Sequence, residues 1–184
     1  SSIMPTFSRL FSEINIDSLV IKNRLVVAPM TRVSATPEGL PTDIMGQHYR
    51  DYAEGGWGLV ITEGTYIDEQ FSQGYRNQPG IANKQHIQGW KKIVDAVHQT
   101  NTPIFLQLIH AGGLIQENRY QRRAIAPSET ELLGKMLPHY YGQGKFPVPM
   151  KISKQQIKET VENFGLAAKN AMEAGFDGIE IHGA

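Results

Sequence analysis

Cysteine is absent from the 184-residue chain, which excludes disulfides and thiolate metal sites. An excess of either charge is also lacking. Lys plus Arg and Asp plus Glu number 18 each, so no net field steers the chain to nucleic acid or to an anionic membrane surface. The nearest thing to a basic patch is Arg119, Arg122 and Arg123, which reads as a solvated face. No apolar run approaches the roughly 20 residues that cross a bilayer. The expectation is a cytoplasmic protein with neither a nucleic-acid nor a membrane partner. The six histidines show no H-E-x-x-H spacing, so a metal site is poorly supported, and His86 and His98 are expected at the surface of a helix. A G-x-G-x-x-G fingerprint is missing after the first strand, which weakens an open dinucleotide-binding sheet.

What is present is a repeated strand that ends abruptly. Leu25, Val26, Val27 and Ala28 form an unbroken apolar run, the pattern of a strand covered on both faces. Pro29 cannot continue a ladder, so the chain leaves the sheet there and hands Met30, Thr31 and Arg32 to a loop. Upstream, residues 1–24 read as a hairpin turning near Asp17-Ser18. Downstream, a helix is expected from Pro41-Thr42-Asp43 to about Glu54, with Met45, Tyr49 and Tyr52 on one face. Strand 58–62 follows. A helix over 84–99 carries Ile87, Trp90, Ile93, Val94 and Val97 on one side, and leads into strand 103–108. A Gly- and Pro-rich excursion over 110–152 is long enough to imply a covering role. Ser153-x-x-Gln156 reads as a capping box opening a helix with Ile157, Val161, Phe164, Ala168 and Ala171 on its inner stripe, followed by strand 178–182.

Strands alternating with amphipathic helices predict right-handed crossovers and a parallel sheet, either open and doubly wound or closed as a (β/α)8 barrel. A barrel needs eight units and about 250 residues. Four units are visible, so the chain reads as the N-terminal half of one barrel domain. Such a half would expose strand edges and associate with itself or with a missing C-terminal half.

The four strand ends would lie on one face under either closure. They deliver Pro29-Met30-Thr31, Glu63-Gly64, Gln107 with His110 just beyond, and His182. Together they offer a hydroxyl, an amide and an imidazole, without a nucleophile–base pair or a close carboxylate pair. No strand end carries a lysine for Schiff-base chemistry. Neutral hydrogen bonding of this kind suits holding a planar heteroaromatic cofactor and polarising a substrate oxygen.

Five motifs carry a resemblance: N-R-L-V-V-A-P-M-T-R at 23–32, L-V-I-T-E-G-T at 59–65, Q-G-Y-x-x-x-P-G at 73–80, I-F-L-Q-L-I-H-A-G at 104–112 and A-G-F-D-G-I-E-I-H-G-A at 174–184. In this order they resemble the old yellow enzyme family of FMN-dependent NAD(P)H oxidoreductases, or ene-reductases. The resemblance implies a TIM barrel holding non-covalent FMN across the strand ends, with NAD(P)H as reductant and a small enone or nitro compound as substrate. Pro29, Met30, Thr31, Gly64 and Gln107 would bind the flavin. Thr31 would tune its C4 carbonyl. His182 would grip the substrate oxygen as the catalytic member of a pair whose second residue, like the proton donor, would lie beyond residue 184. Tyr75 would border the substrate pocket. Position 109 is isoleucine where some relatives carry tryptophan, so substrate preference does not carry over.

Overall fold

The computed structural model describes residues 9–121 and 124–183. Residues 1–8 of the expected hairpin, and Arg122 and Arg123 of the basic cluster, lie outside that set. The hairpin is formed by β1 (Ile14–Ile16) and β2 (Leu19–Ile21), with Ile14 opposite Ile21 and Ile16 opposite Leu19. Asp17 takes a positive φ of 52° at the turn, a backbone region that aspartate tolerates better than most residues. The hairpin shares a surface groove with Asn101, Thr102, Pro103 and Asp177, at the end where the later strands begin.

The main sheet is parallel. It contains β3 (Val26–Val27), β4 (Leu59–Ile61), β5 (Thr65–Tyr66), β6 (Ile104–His110) and β9 (Gly178–Gly183). β3 pairs with β4, β4 with the start of β6, and β9 with β6 along six residue pairs. β5 continues the edge of β4: Ile61 faces Phe105 and Thr65 faces Leu108. Three residues, Thr62, Glu63 and Gly64, therefore oppose two, Leu106 and Gln107. The extra residue is a bulge, a device that re-aims side chains at the end of a strand. It is the reason the expected strand 58–62 stops at Ile61. β6 in turn runs two residues past the expected 108 and takes in His110.

Helices α1 (Asp43–Glu54), α2 (Lys84–His98) and α3 (Lys154–Ala174) form the crossovers. Each N-cap side chain accepts a main-chain N–H: Thr42 from Met45, Asn83 from His86, and Ser153 from Gln156 within a full capping box. Val27, Val60, Ile104, Leu106 and Leu108 pack in one core with Met45, Tyr49 and Ala53 of α1, Trp90, Val94 and Val97 of α2, and Ala167, Ala171 and Ala174 of α3. All three helices thus pack with the same set of outward strand residues. A doubly wound sheet would divide its helices between two faces. The winding is that of an α/β barrel, and the fold is a partial barrel. On the opposite face the strands present Val26, Phe105, Gln107, Ile109, Glu180 and His182, by alternation and register.

Two expectations fail locally. Ile157 and Val161 are 49 % and 65 % exposed, because the buried stripe of α3 runs through Ala167, Ala171 and Ala174, with Phe164 and Ala168 partly covered. The first turns of α3 instead border an open groove, where Ile157 and Thr160 lie with Ile125, Ala126 and Lys151. His86 is fully buried rather than at the surface. Its Nδ1 accepts the Ala82 N–H and its Nε2 donates to the Glu38 carbonyl, while burial lowers its pKa and keeps it neutral. His98 does stay near the surface. It pairs with Asp177 at 2.8 Å, and the same Asp177 oxygen accepts the Ile104 N–H.

The excursion is not a bare loop. β7 (Ile125–Ala126) and β8 (Met150–Lys151) pair in parallel, and a 3-10 turn spans Pro138–Tyr140. Gly80 marks the tightest packing between chain and helix. Its carbonyl accepts the Trp90 indole N–H, and a Cβ there would sit 2.5 Å from Tyr66 and 2.6 Å from His86. Both rings are buried and cannot retreat. Gly80→Ala is therefore expected to destabilise by about 1–3 kcal/mol, read as a lower denaturant midpoint at unchanged slope.

Candidate active site

The strand ends meet on the sheet face opposite the helices. After β3, Pro29 and the exposed Met30 and Thr31 lead into Val33, whose φ of 55° is rare for a β-branched residue. Beyond this bend Ser34 accepts the Thr42 hydroxyl and Ala35 donates to the Asn77 carbonyl, so the loop is tied on both sides. At the bulge, the Thr62 hydroxyl accepts the Gln107 N–H. The Gly64 carbonyl accepts the buried Gln78 amide, whose other end accepts the Gly74 N–H. Gln78 fixes the height of the bulge, a task that no periodicity or motif signals.

Gly64 is the point of closest approach. A Cβ there would lie 2.9 Å from Ile109 and 3.2 Å from the Gln107 carbonyl oxygen. The Gln107 amide nitrogen donates to Glu180 of β9 at 2.7 Å, a partner absent from the expected site. Gly64 therefore lets the bulge pack directly on Ile109 and on the Gln107 amide, a group with both a donor and an acceptor.

Next to it opens a cavity of about 260 Å³, lined by Thr31, Gly74, Tyr75, Gln78, Ile109, Ala111, Leu114, Gln116, Tyr140 and His182. Three expected residues, Thr31, Tyr75 and His182, meet here, while Gly64 and Gln107 form the adjoining surface. The Tyr75 hydroxyl is buried beside Thr31 but reaches no hydrogen-bond geometry, and burial raises its pKa. Tyr140, from the excursion, packs against Tyr75 with ring centroids 5.1 Å apart. His110 points away from this cavity by strand alternation. Its Nδ1 accepts the Gly112 N–H, and burial keeps it neutral.

Beneath the bulge lies a buried carboxyl. Glu63 Oε2 accepts the Tyr49 hydroxyl proton at 2.5 Å, and the same Tyr49 oxygen accepts the Glu63 N–H at 2.9 Å. Oε1 has no hydrogen-bond partner. Burial raises the Glu63 pKa to about 7, against the opposing effects of the Tyr49 bond and of Arg32. Among the described residues no cluster of His, Asp or Glu is arranged to hold a metal ion.

The NADH:flavin oxidoreductase / NADH oxidase family model matches residues 9–184. The chain belongs to this family. A probable flavin mononucleotide-dependent alkene reductase of Leishmania infantum is 40 % identical over 171 residues, covering 89 % of this chain and 46 % of the relative. Among solved structures, the old yellow enzyme homologue from Zymomonas mobilis superposes with a TM-score of 0.86 at 33 % identity, covering 94 % of this chain and 48 % of that one. Morphinone reductase in complex with tetrahydroNAD gives 0.83 at 32 % identity with the same coverage. The chain spans about half the length of the relatives it matches.

Proposed function

We propose that the intact protein is an FMN-dependent NAD(P)H oxidoreductase that reduces activated C=C bonds in α,β-unsaturated carbonyl or nitro compounds. The observation that carries this reading is the meeting of Thr31, Tyr75 and His182 in one cavity, beside the close Gly64–Gln107 contact on the same face of the sheet. Gln107 would match the alternating donors and acceptors on the pyrimidine edge of a flavin, and Gly64 would let the backbone approach the ring. Pro29 and Met30 would supply apolar contact, and the Thr31 hydroxyl would hydrogen-bond the C4 carbonyl. FMN held there supplies hydride from N5, replenished from NAD(P)H. His182 donates to the substrate oxygen, where negative charge develops as the β-carbon is attacked. Tyr75 borders the substrate. The excursion over 110–152 covers the site.

The test is reconstitution of the intact protein with FMN. A yellow protein that oxidises NAD(P)H only when an enone is present is the expected result. Colourless protein that takes up no FMN overturns the reading.

A second reading is assembly of this segment with a C-terminal half or with a copy of itself. It is favoured by apolar residues left in solvent, namely Ile181 at 61 %, Leu166 at 58 % and Met172 at 76 % exposed. Micromolar FMN binding by a monomeric 184-residue chain in sedimentation experiments would remove this second reading.

A further inference from the structure

We propose that Tyr140 is a specificity-determining residue, and that with Tyr75 it forms an aromatic wall selecting activated alkenes with a flat aryl substituent on the β-carbon. The proposal rests on the ene-reductase reading of the site and names a substrate class within it.

Tyr140 lies far from the strand ends in sequence, yet its position is fixed by the residues around Tyr75. The Gly74 carbonyl accepts the N–H groups of Gln116 and Glu117 at 2.5 and 3.2 Å. Gln116 Oε1 then accepts the Leu137 N–H at 2.7 Å, immediately before the turn Pro138–Tyr140. Arg76 grips Glu117 through two bonds of 2.7 and 2.8 Å and places its guanidinium 4.7 Å over the Tyr141 ring. Gly142 is locked as well, since a Cβ there would meet Met136 and Gln116 at 2.5 and 2.6 Å. Three chain segments are thus clasped over one edge of the cavity. The exposed ion pair adds little stability by itself. Its consequence is geometric: the Tyr140 ring is held 5.1 Å from Tyr75 at a tilt of 53°.

The chemistry of the cavity follows from its lining. Ile109, Ala111, Leu114 and the two tyrosine rings are apolar, and Gln116 already spends its carbonyl on Leu137. The free polar groups are Thr31, the unpartnered Tyr75 hydroxyl beside it, and His182. A ligand must therefore place its carbonyl or nitro oxygen at His182 and a flat apolar group against the tyrosines. Rings favour offset or edge-on contact with such a wall. A cavity of about 150 Å³ holds benzene, so about 260 Å³ takes a phenyl ring with its enone.

The experiment uses the intact, FMN-loaded protein with benzylideneacetone and its β-methyl counterpart, ethylideneacetone. Tyr140→Ala is expected to lower kcat/KM for benzylideneacetone about 10-fold, mainly through KM, and to change ethylideneacetone less than about twofold. Calorimetry with benzylacetone, the saturated aryl ketone, should show the same fold loss in affinity, and Tyr140→Phe should restore it. Arg76→Ala, which opens the clasp and keeps the ring, should shift selectivity in the same direction by a smaller factor. Equal losses on both enones, or unchanged selectivity and unchanged benzylacetone binding, overturn the proposal. If the parent protein reduces neither enone but Tyr140→Ala still weakens benzylacetone, the activity reading fails while the aromatic wall stands.

Discussion

Glu63→Gln is expected to remove a pH dependence of stability worth about 3 kcal/mol. The Glu63 side chain is fully buried, and its pKa is raised from 4.5 to about 7. Between those values the folded chain keeps a proton that the unfolded chain has released. The neutral carboxyl is undisturbed below pH 4.5. Stability then falls as pH rises, until the folded carboxyl also ionises at about 7. Each unit of difference corresponds to 1.36 kcal/mol, which sets the total near 3 kcal/mol by pH 8. The groups facing this carboxyl are Tyr49 from α1, Arg32 from the loop after β3, and Tyr75, whose own pKa is raised by burial. In the variant the Tyr49 hydroxyl still donates to the amide oxygen, so packing and the Tyr49 bond are retained. Other titrating groups, including His86 and His110, are common to both proteins and cancel in the difference. Denaturant unfolding at several pH values should show the variant gaining on the parent between pH 5 and 8. Parallel curves would remove the buried, neutral carboxyl from the account. Because Glu63 immediately precedes Gly64, its ionisation places a charge directly beneath the surface proposed to bind the flavin.

That pair also shows what was legible in the sequence. The strand ends show in the sequence as apolar runs, and Thr31, Gly64, Gln107 and His182 do lie together, whereas Glu63 turns beneath the bulge to Tyr49 and His110 points away from the cavity. The helices were set by caps and by period, and α1 and α2 follow them closely. The winding was not decided by pattern alone, because open and closed sheets share the same alternation. It became clear once Tyr49, Trp90 and Ala171 were seen packing in one core. The expected stripe of α3 holds from Phe164 through Ala168 to Ala171 and fails only at Ile157 and Val161. Its alanines carry a weak apolar signal, whereas Ile157 and Val161 carry a strong one in turns that stay largely exposed. His86 was misplaced because two main-chain partners, remote or irregular, satisfy its ring.

The bulge and the clasp were invisible for a different reason. A one-residue offset between β4 and β5 is a property of the register with β6, not of residues 61–65. Tyr140 reaches Tyr75 only through Gln116, Gly74 and Leu137, contacts with no local periodicity. Glu180 likewise faces Gln107 because β9 pairs with β6 in one register. The strand ends supplied Thr31, Gly64, Gln107 and His182, and the family resemblance gave them roles. It did not supply the side chains that hold them in place.

The largest expected effect on rate is that of His182→Ala, a loss of about 10²–10³ in kcat/KM for an enone. His182 sits on the exposed face of β9, in register with Ile109, and lines the cavity with Thr31 and Tyr75. Hydride arriving at the β-carbon drives charge onto the substrate oxygen. A donor aimed at that oxygen therefore interacts more strongly with the transition state than with the ground state, and removing one such donor costs roughly 10²–10³ in rate. Because the side chain is exposed and makes no core contact, stability should change by no more than about 0.5 kcal/mol. Flavin binding should survive, since the proposed flavin contacts are Thr31, Gly64 and Gln107. The visible spectrum then reports cofactor retention independently of turnover. A nitroalkene, whose nitro group already withdraws electrons strongly, needs less help from the donor and should lose less rate than the enone. Loss of bound FMN, or a fall of less than about threefold with both substrates, would place His182 outside the substrate-binding role and leave the oxygen to a group from another part of the barrel.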